Sequence, residues 1–351
     1  MRTIFGCLFI LFAVSAQVQA QDVDSVPVNI KNYDLKLKRS PLPVLNGIID
    51  FRPVDISPVV ISSKVNYWKT TTAIGINVNQ SSFSNNWKGG GVNSLAVGGL
   101  VNYKAEYVKE NYSYVTELNL QYGKIKNRDQ LQKKTNDRIF WDNKAAFQLS
   151  KNWYFFGSLT FESQFDNGFS YSTINNVETP TLISKFMSPG YLTQSIGFEY
   201  KPSKFFSTRI GTGTARQTFV LDNETLNAAK RARAIAANPN ETPENIENAG
   251  KTDNYGIAYN KSFKNDLAFQ VVTAFDKDIF HNVNLKTRYA LFIPYDDFGQ
   301  IDHRLDVALT AKINRFMNVS LTGVGLYDKD TDLKIQGSQT LAMGLMFVFP
   351  R

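Results

Sequence analysis

Apolar and polar residues alternate with a period of two over long stretches of the chain, which puts every second side chain on one face of an extended strand. From Asp302 to Ile313 one face reads His303, Leu305, Val307, Leu309, Ala311 and Ile313. The other reads Asp302, Arg304, Asp306, Ala308, Thr310 and Lys312. Val283–Phe292 divides into Val283, Leu285, Thr287, Tyr289 and Leu291 against Asn284, Lys286, Arg288, Ala290 and Phe292. Tyr112–Gly123 sets Tyr112, Tyr114, Thr116, Leu118, Leu120 and Tyr122 against Ser113, Val115, Glu117, Asn119, Gln121 and Gly123.

The pattern predicts strands at 67–83, 94–107, 112–125, 137–150, 153–166, 190–201, 205–221, 266–280, 283–293, 301–313, 316–328 and 337–349. Strands of a soluble sandwich are usually about half this length, whereas a tilted strand crossing a membrane needs it. The connections at 108–111, 151–152, 202–204, 281–282 and 314–315 are tight turns, and those at 84–93, 126–136, 167–189, 222–265, 294–300 and 329–336 are longer. Short and long alternate, as periplasmic turns and extracellular loops do in an all-β, antiparallel transmembrane barrel. Counting Tyr255–Phe263 as a strand would put the longest loop on the periplasmic side, so it reads as loop-borne β-structure. Fourteen strands result if Pro58–Val65 joins the wall. An even count puts both chain ends in the periplasm, and the last strand closes on Phe349, followed by Pro350 and Arg351.

The two ends of the chain refine this picture. Arg2, the apolar run Ile4–Val14 and the small residues Val18 and Ala20 have the layout of a cleaved secretory signal over residues 1–20. The apolar run is too short to span a bilayer. Cys7, the only cysteine, lies inside it, so the mature chain has no disulfide. Residues 21–65 carry Pro27, Pro41, Pro43, Pro53 and Pro58, which argues against a central strand. They read as a periplasmic extension or, alternatively, a lumen plug, leaving 66–351 for the barrel. Mean hydropathy is −0.26 despite 26 Phe, 16 Tyr and 4 Trp, because lipid-facing and lumen-facing residues average out. Losing Arg2 with the leader leaves a net charge of +7, spread along the chain, which excludes a nucleic-acid partner.

Sorting charges by face predicts the interior. Lys104, Arg138, Lys144, Arg209, Lys286, Arg288, Arg304 and Lys312 point inward, as do Glu106, Glu117, Asp142, Glu162, Glu199, Asp276, Asp302 and Asp306, eight of each sign. A charge-selective pore shows one sign at its constriction. Balance instead suggests charges paired across neighbouring strands, filling a narrow lumen; the alternative is a wetted interior that simply tolerates polar groups. An outer-membrane protease or lipase would need a histidine base. His281 lies in a tight turn, and His303 shares the apolar face while its neighbour Asp302 points the other way, so a place at the membrane rim accounts for His303. No catalytic, cofactor or metal site is expected. In the longest loop, Asn223 is placed to cap a helix ending before Pro239, a solvated loop helix or a basic one that meets lipopolysaccharide phosphates. Gly89-Gly90-Gly91 is not a phosphate loop, since no Gly-Lys-Ser/Thr follows.

Asn79-Gln80-Ser81-Ser82-Phe83 and Asn86-Trp87-Lys88-Gly89-Gly90-Gly91-Val92-Asn93-Ser94 together resemble the NQ…NW..GG.NS signature of an uncharacterised Bacteroidota outer-membrane barrel family that carries a domain of unknown function. Trp87, Gly89, Gly90 and Asn93 carry that motif loop. Trp68, Ser188-Pro189-Gly190-Tyr191, Asn282-Val283 and Tyr327-Asp328-Lys329-Asp330 extend the resemblance over most of the mature chain. It implies an outer-membrane location and brings no activity or catalytic residue. The expected role is non-enzymatic, either limited solute passage or integral membership of an envelope complex; the alternative is a hydrolase using a rim histidine. The expected surroundings are outer-membrane lipid, lipopolysaccharide and, in the complex reading, other envelope proteins. Amino-terminal sequencing of the membrane-fraction protein should return Gln21 as the first residue; an intact Met1 would reject the leader.

Overall fold

A computed structural model describes residues 66–350 apart from 85–87, 89–90, 175–176 and 330–331. The proposed leader, the segment 21–65, Pro58–Val65 and the motif residues Trp87, Gly89 and Gly90 lie outside the described residues. Twelve strands form the wall: β1 (Trp68–Ser81), β2 (Ser94–Lys109), β3 (Tyr112–Asn127), β4 (Lys133–Gln148), β5 (Trp153–Ser163), β8 (Gly190–Tyr200), β9 (Phe206–Phe219), β10 (Phe263–Phe280), β11 (Val283–Pro294), β12 (Asp302–Lys312), β13 (Met317–Asp328) and β14 (Asp332–Phe349). Each pairs antiparallel with its neighbours, and β1 pairs with β14 to close the ring. Closure is reached at twelve strands, not fourteen, because β14 already occupies the free edge of β1.

Two regions expected to be loops carry structure. Residues 167–189 hold a hairpin, β6 (Gly168–Ile174) with β7 (Val177–Ser184), which stands outside the wall as its own two-stranded sheet. Its alternation is too short to register as a membrane strand. Lys133 on β4 forms an ion pair with Glu178 on β7 and lies 4.8 Å from the Tyr171 ring, which ties the hairpin to the rim. Residues 222–265 hold α1 (Asn223–Ala237) and α2 (Pro243–Ala249). Asn223 is the first helical residue of α1 rather than its cap, which is Asp222. The Asn223 side chain donates instead to the carbonyls of Ala258 and Lys261, at 2.9 and 2.6 Å. Residues 255–262 form no strand: Tyr255 and Gly256 adopt φ of 55° and 72°, which turns the chain and leaves only an Asn254–Ile257 bridge. The wall resumes at Phe263, three residues before the expected start.

These loops pack on one another. Val220, Leu226 and Ile257 are almost fully buried, with Leu182 of β7 and Tyr255 against them. Asn254 donates to the side chains of Asn223 and Asn227 at 2.6 and 2.8 Å, which satisfies three buried amides together. Lys185 pairs with Asp222 at the start of α1, and that contact holds the Asp222 carboxyl below the usual carboxylate range. The result is a small folded cap at the loop end of the barrel.

The outer surface sorts by height. Ile74, Ile76, Val78, Leu95 and Val97 on β1 and β2, and Leu341, Met343 and Leu345 on β14, are exposed in an aliphatic belt. At the turn end, aromatic pairs flank it: Trp68–Tyr107, Tyr112–Phe147, Trp153–Tyr200 and Phe316–Phe347. At the loop end stand Tyr122–Phe165, Phe219–Phe263 and the row Tyr289–His303–Tyr327. An apolar band between two aromatic girdles is what a bilayer selects on a barrel exterior. Both ends of the wall, Trp68 and Phe349, lie at the turn end.

Leu226→Ala should cost the cap about 2–5 kcal/mol through lost burial and a residual cavity. Limited proteolysis should then cut within 222–262 while the barrel keeps its heat-modifiable gel mobility; an uncut loop would reject the cap as a packed unit.

Candidate functional site: ion pairs across the lumen

Arg138 and Asp142 project from β4, Glu162 from β5, Arg209 from β9, Arg288 from β11, and Arg304 and Asp306 from β12, all into the lumen. Four of these side chains join into one lattice. Arg138 donates from Nε to Glu162 at 2.8 Å, and its Nη1 lies 3.4 Å from Asp306. Arg304 donates from Nη1 to the same Glu162 oxygen at 3.0 Å, and from Nε and Nη2 to the two Asp306 oxygens at 3.0 and 3.2 Å. The last is a two-pronged guanidinium–carboxylate contact, the strongest geometry available to such a pair. All four side chains are 19–25% exposed, so solvent screens them little.

The geometry differs from pairing across neighbouring strands. β4 and β12 are six places apart in the twelve-strand ring, on opposite walls, and β5 and β12 are five apart. Lys286 on β11 and Glu117 on β3, also six apart, meet at 2.6 Å, with Asn102 donating to the same oxygen at 3.1 Å. Arg209 reaches over three places to Asp142 at 3.0 Å, where Thr160 also donates at 2.7 Å. Shorter reaches complete the layer below: Lys144 on β4 binds both oxygens of Glu199 on β8 at 2.5–2.6 Å, and Glu199 is 2% exposed. Strand order brings these charges together because a ring this narrow puts opposite walls within reach of one arginine plus one acid.

The other predicted inward positions sit nearer the ends. Lys104 pairs within its own strand with Glu106 at 2.6 Å. Asp276 is exposed and accepts from Asn284 at 3.0 Å. Lys312 is exposed at the turn end of β12. Asp302 pairs at 2.7 Å with Arg216, a lumen residue that strict alternation misses. Counting by twos from Arg209 puts Arg216 on the outside, but β9 carries a bulge at Thr212–Gly213, where pairing with β8 jumps from Gly211 to Gly213. One extra residue reverses the faces, so Thr214, Arg216 and Thr218 point inward. The glycines Gly211 and Gly213 were the available signal. On β8, a Cβ at Gly197 would run into the Ile210 carbonyl, so this irregularity also needs a glycine partner.

Phe140 on β4 is missing from any list of charges yet organises them. Arg138 and Arg288 lie over its ring at 4.6 and 5.2 Å. Arg216 likewise lies 3.9 Å from the Phe292 ring. Two cavities adjoin this layer, of about 520 and 150 Å³, and Phe140, Glu162, Tyr191, Arg288 and Arg304 line both. These five side chains form the partition between them. Of the motif loop, Asn93 is described: its side chain accepts from the Phe83 amide at 2.6 Å and its carbonyl accepts from the Arg128 amide at 2.8 Å, tying the β1–β2 loop to the end of β3.

His303 faces outward, with Nδ1 2.8 Å from the Tyr289 hydroxyl, while Asp302 turns into the lumen towards Arg216. The two therefore form no acid–base pair. His281 sits in the β10–β11 turn beside Asn282, whose φ of 64° suits a two-residue turn.

Closed wall, aliphatic belt, girdles and charged interior define an antiparallel transmembrane-type β-barrel of twelve strands. The family described as "Protein of unknown function (DUF3078)" matches residues 78–169, from the loop end of β1 to the start of the β6–β7 hairpin. No curated protein matches the chain. Among solved structures, the translocator domain of autotransporter NalP from Neisseria meningitidis is similar at 9% identity, with 82% of this chain and 90% of that one covered and a TM-score of 0.35. The COG4313 outer membrane channel from Pseudomonas putida F1 is similar at 7% identity over 84% and 98% of the two chains, with a TM-score of 0.34. KdgM porin is similar at 6% identity over 79% and 98%, with a TM-score of 0.28.

Glu162 balances two arginines at once, so Glu162→Gln should destabilise the barrel by about 3–5 kcal/mol, the cost of stranding buried charge. Glu117→Gln, whose partner Lys286 is 47% exposed, should cost less than about 1 kcal/mol. Urea unfolding from lipid vesicles compares them, and equal losses would reject the lattice as a buried network.

Proposed function

We propose that this chain is an outer-membrane barrel for limited solute passage whose lumen is held shut at rest by the Arg138–Glu162–Arg304–Asp306 lattice. The carrying observation is that these pairs join opposite walls rather than lining one wall. A lining of one sign would leave water in the middle and select ions by charge. Charges that meet across the middle displace that water and must separate before a solute passes.

In this reading residues 1–20 are the cleaved leader, 21–65 a periplasmic extension, the tight turns and both termini periplasmic, and the cap extracellular. The turn and loop lengths support that orientation. The Asn79–Ser94 motif lies at the start of the family match, and the relationship to Bacteroidota barrels rests on the resemblance of that motif alone. A second reading is favoured by the cap, a packed surface at the exposed end: the barrel is an integral partner in an envelope complex, surrounded by lipopolysaccharide. The lumen then serves as a rigid, sealed support.

Planar-bilayer recording separates the two. The wild type should show at most brief, small openings, and the double variant Glu162→Gln, Asp306→Asn should show steady conductance. A wild type that conducts steadily at rest overturns the closed lumen. Silence of both proteins at all voltages overturns passage and leaves the envelope-partner reading.

A further inference from the structure

This part of the lumen holds one guanidinium that no acid engages in an ion pair. Its four arginines, Arg138, Arg209, Arg288 and Arg304, face three carboxylates, Asp142, Glu162 and Asp306. The acids are already engaged: Asp142 by Arg209 and Thr160, Glu162 by Arg138 and Arg304, and Asp306 by Arg304 and Arg138. Arg288 is left over. Among the described residues it makes no ion pair within 4 Å and no hydrogen bond, and it lies 5.2 Å from the centre of the Phe140 ring.

A guanidinium beside an aromatic ring spends none of its N–H groups on a hydrogen bond there, and its N–H edge matches the two oxygens of a carboxylate. Arg288 lines the cavity of about 520 Å³, which extends to Thr135 and Gln164 near the loop end. Arg288 also lines the partition, so an anion bound to it lies beside the lattice that closes the lumen.

We infer that Arg288 is the anion-binding subsite of this lumen and takes a small, singly charged carboxylate. One such anion matches the one guanidinium left without an ion-pair partner, and the carboxylates that also line the cavity disfavour a second charge on it. Within the passage reading, on which this rests for its biological sense, the barrel's solute class is small organic acids.

Formate is the probe, added to the full-length barrel folded in detergent micelles, with melting followed in sodium formate against sodium chloride at equal ionic strength. The wild type should melt higher in formate, with a saturable dependence. Arg288→Gln should lose the difference. Arg288→Lys, which keeps the charge but not the fork, should bind formate about tenfold more weakly. Heat-modifiable gel mobility verifies that each variant is folded, and Arg288→Lys carries the test if Arg288→Gln does not fold. Equal melting of the wild type in the two salts, or an undiminished formate response in Arg288→Lys, overturns the site. A barrel that binds formate through Arg288 yet conducts steadily at rest keeps this site and rejects the closed lumen. A barrel that is silent at rest and indifferent to formate does the reverse.

Discussion

The fold depends on one requirement, that no strand edge is left unpaired. In hydrocarbon an unsatisfied backbone group has no water to turn to, so a sheet survives only as a closed ring. Here the ring closes between β1 and β14 through six aligned pairs, from Thr72–Phe349 to Asn77–Gly344. Gly344 sits at the tightest point, where a Cβ would meet the Ile76 carbonyl. Closure fixes the rest. It assigns each residue to lipid or lumen, sets the width of the interior, and gathers turns at one end and loops at the other.

Width turns a list of charges into a network. On an open sheet, Arg138 and Asp306 would sit six strands apart and never meet. Inside the ring they share a lattice with Glu162 and Arg304, in which each acid serves two bases. Exposed pairs contribute little, but pairs removed from solvent are costly to break, because the surviving partner stays buried and uncompensated. The interior therefore couples opposite walls through side chains while the backbone couples adjacent strands. Phe140 adds a third element, an aromatic surface holding two guanidiniums that would otherwise repel.

Legibility in the sequence followed local regularity. All twelve wall strands could be read because alternation is a property of neighbouring residues, and their boundaries shifted mainly at loop ends, as at Lys133, Phe263 and Asp332. The hairpin at 168–184 escaped because seven- and eight-residue strands in a loop resemble any short polar-apolar mixture. Asn223 was read as the cap of a helix, but the cap is Asp222, Asn223 is the first helical residue, and its side chain serves the distant carbonyls of Ala258 and Lys261. Arg216 is absent from the inward charges read by alternation because one bulge inverts a two-residue period.

By itself the sequence determined that the chain forms long antiparallel strands with one apolar face and, where the alternation is unbroken, which charges turn inward. Those are consequences of period and composition, carried within each strand. Only the tertiary structure decided which charges meet, that the pairs span the lumen instead of adjacent strands, that Arg288 is left without an acid, and that two loops fold into one cap. Each depends on distances between segments far apart in sequence, set by strand count, bulge position and closure, and no local pattern encodes them.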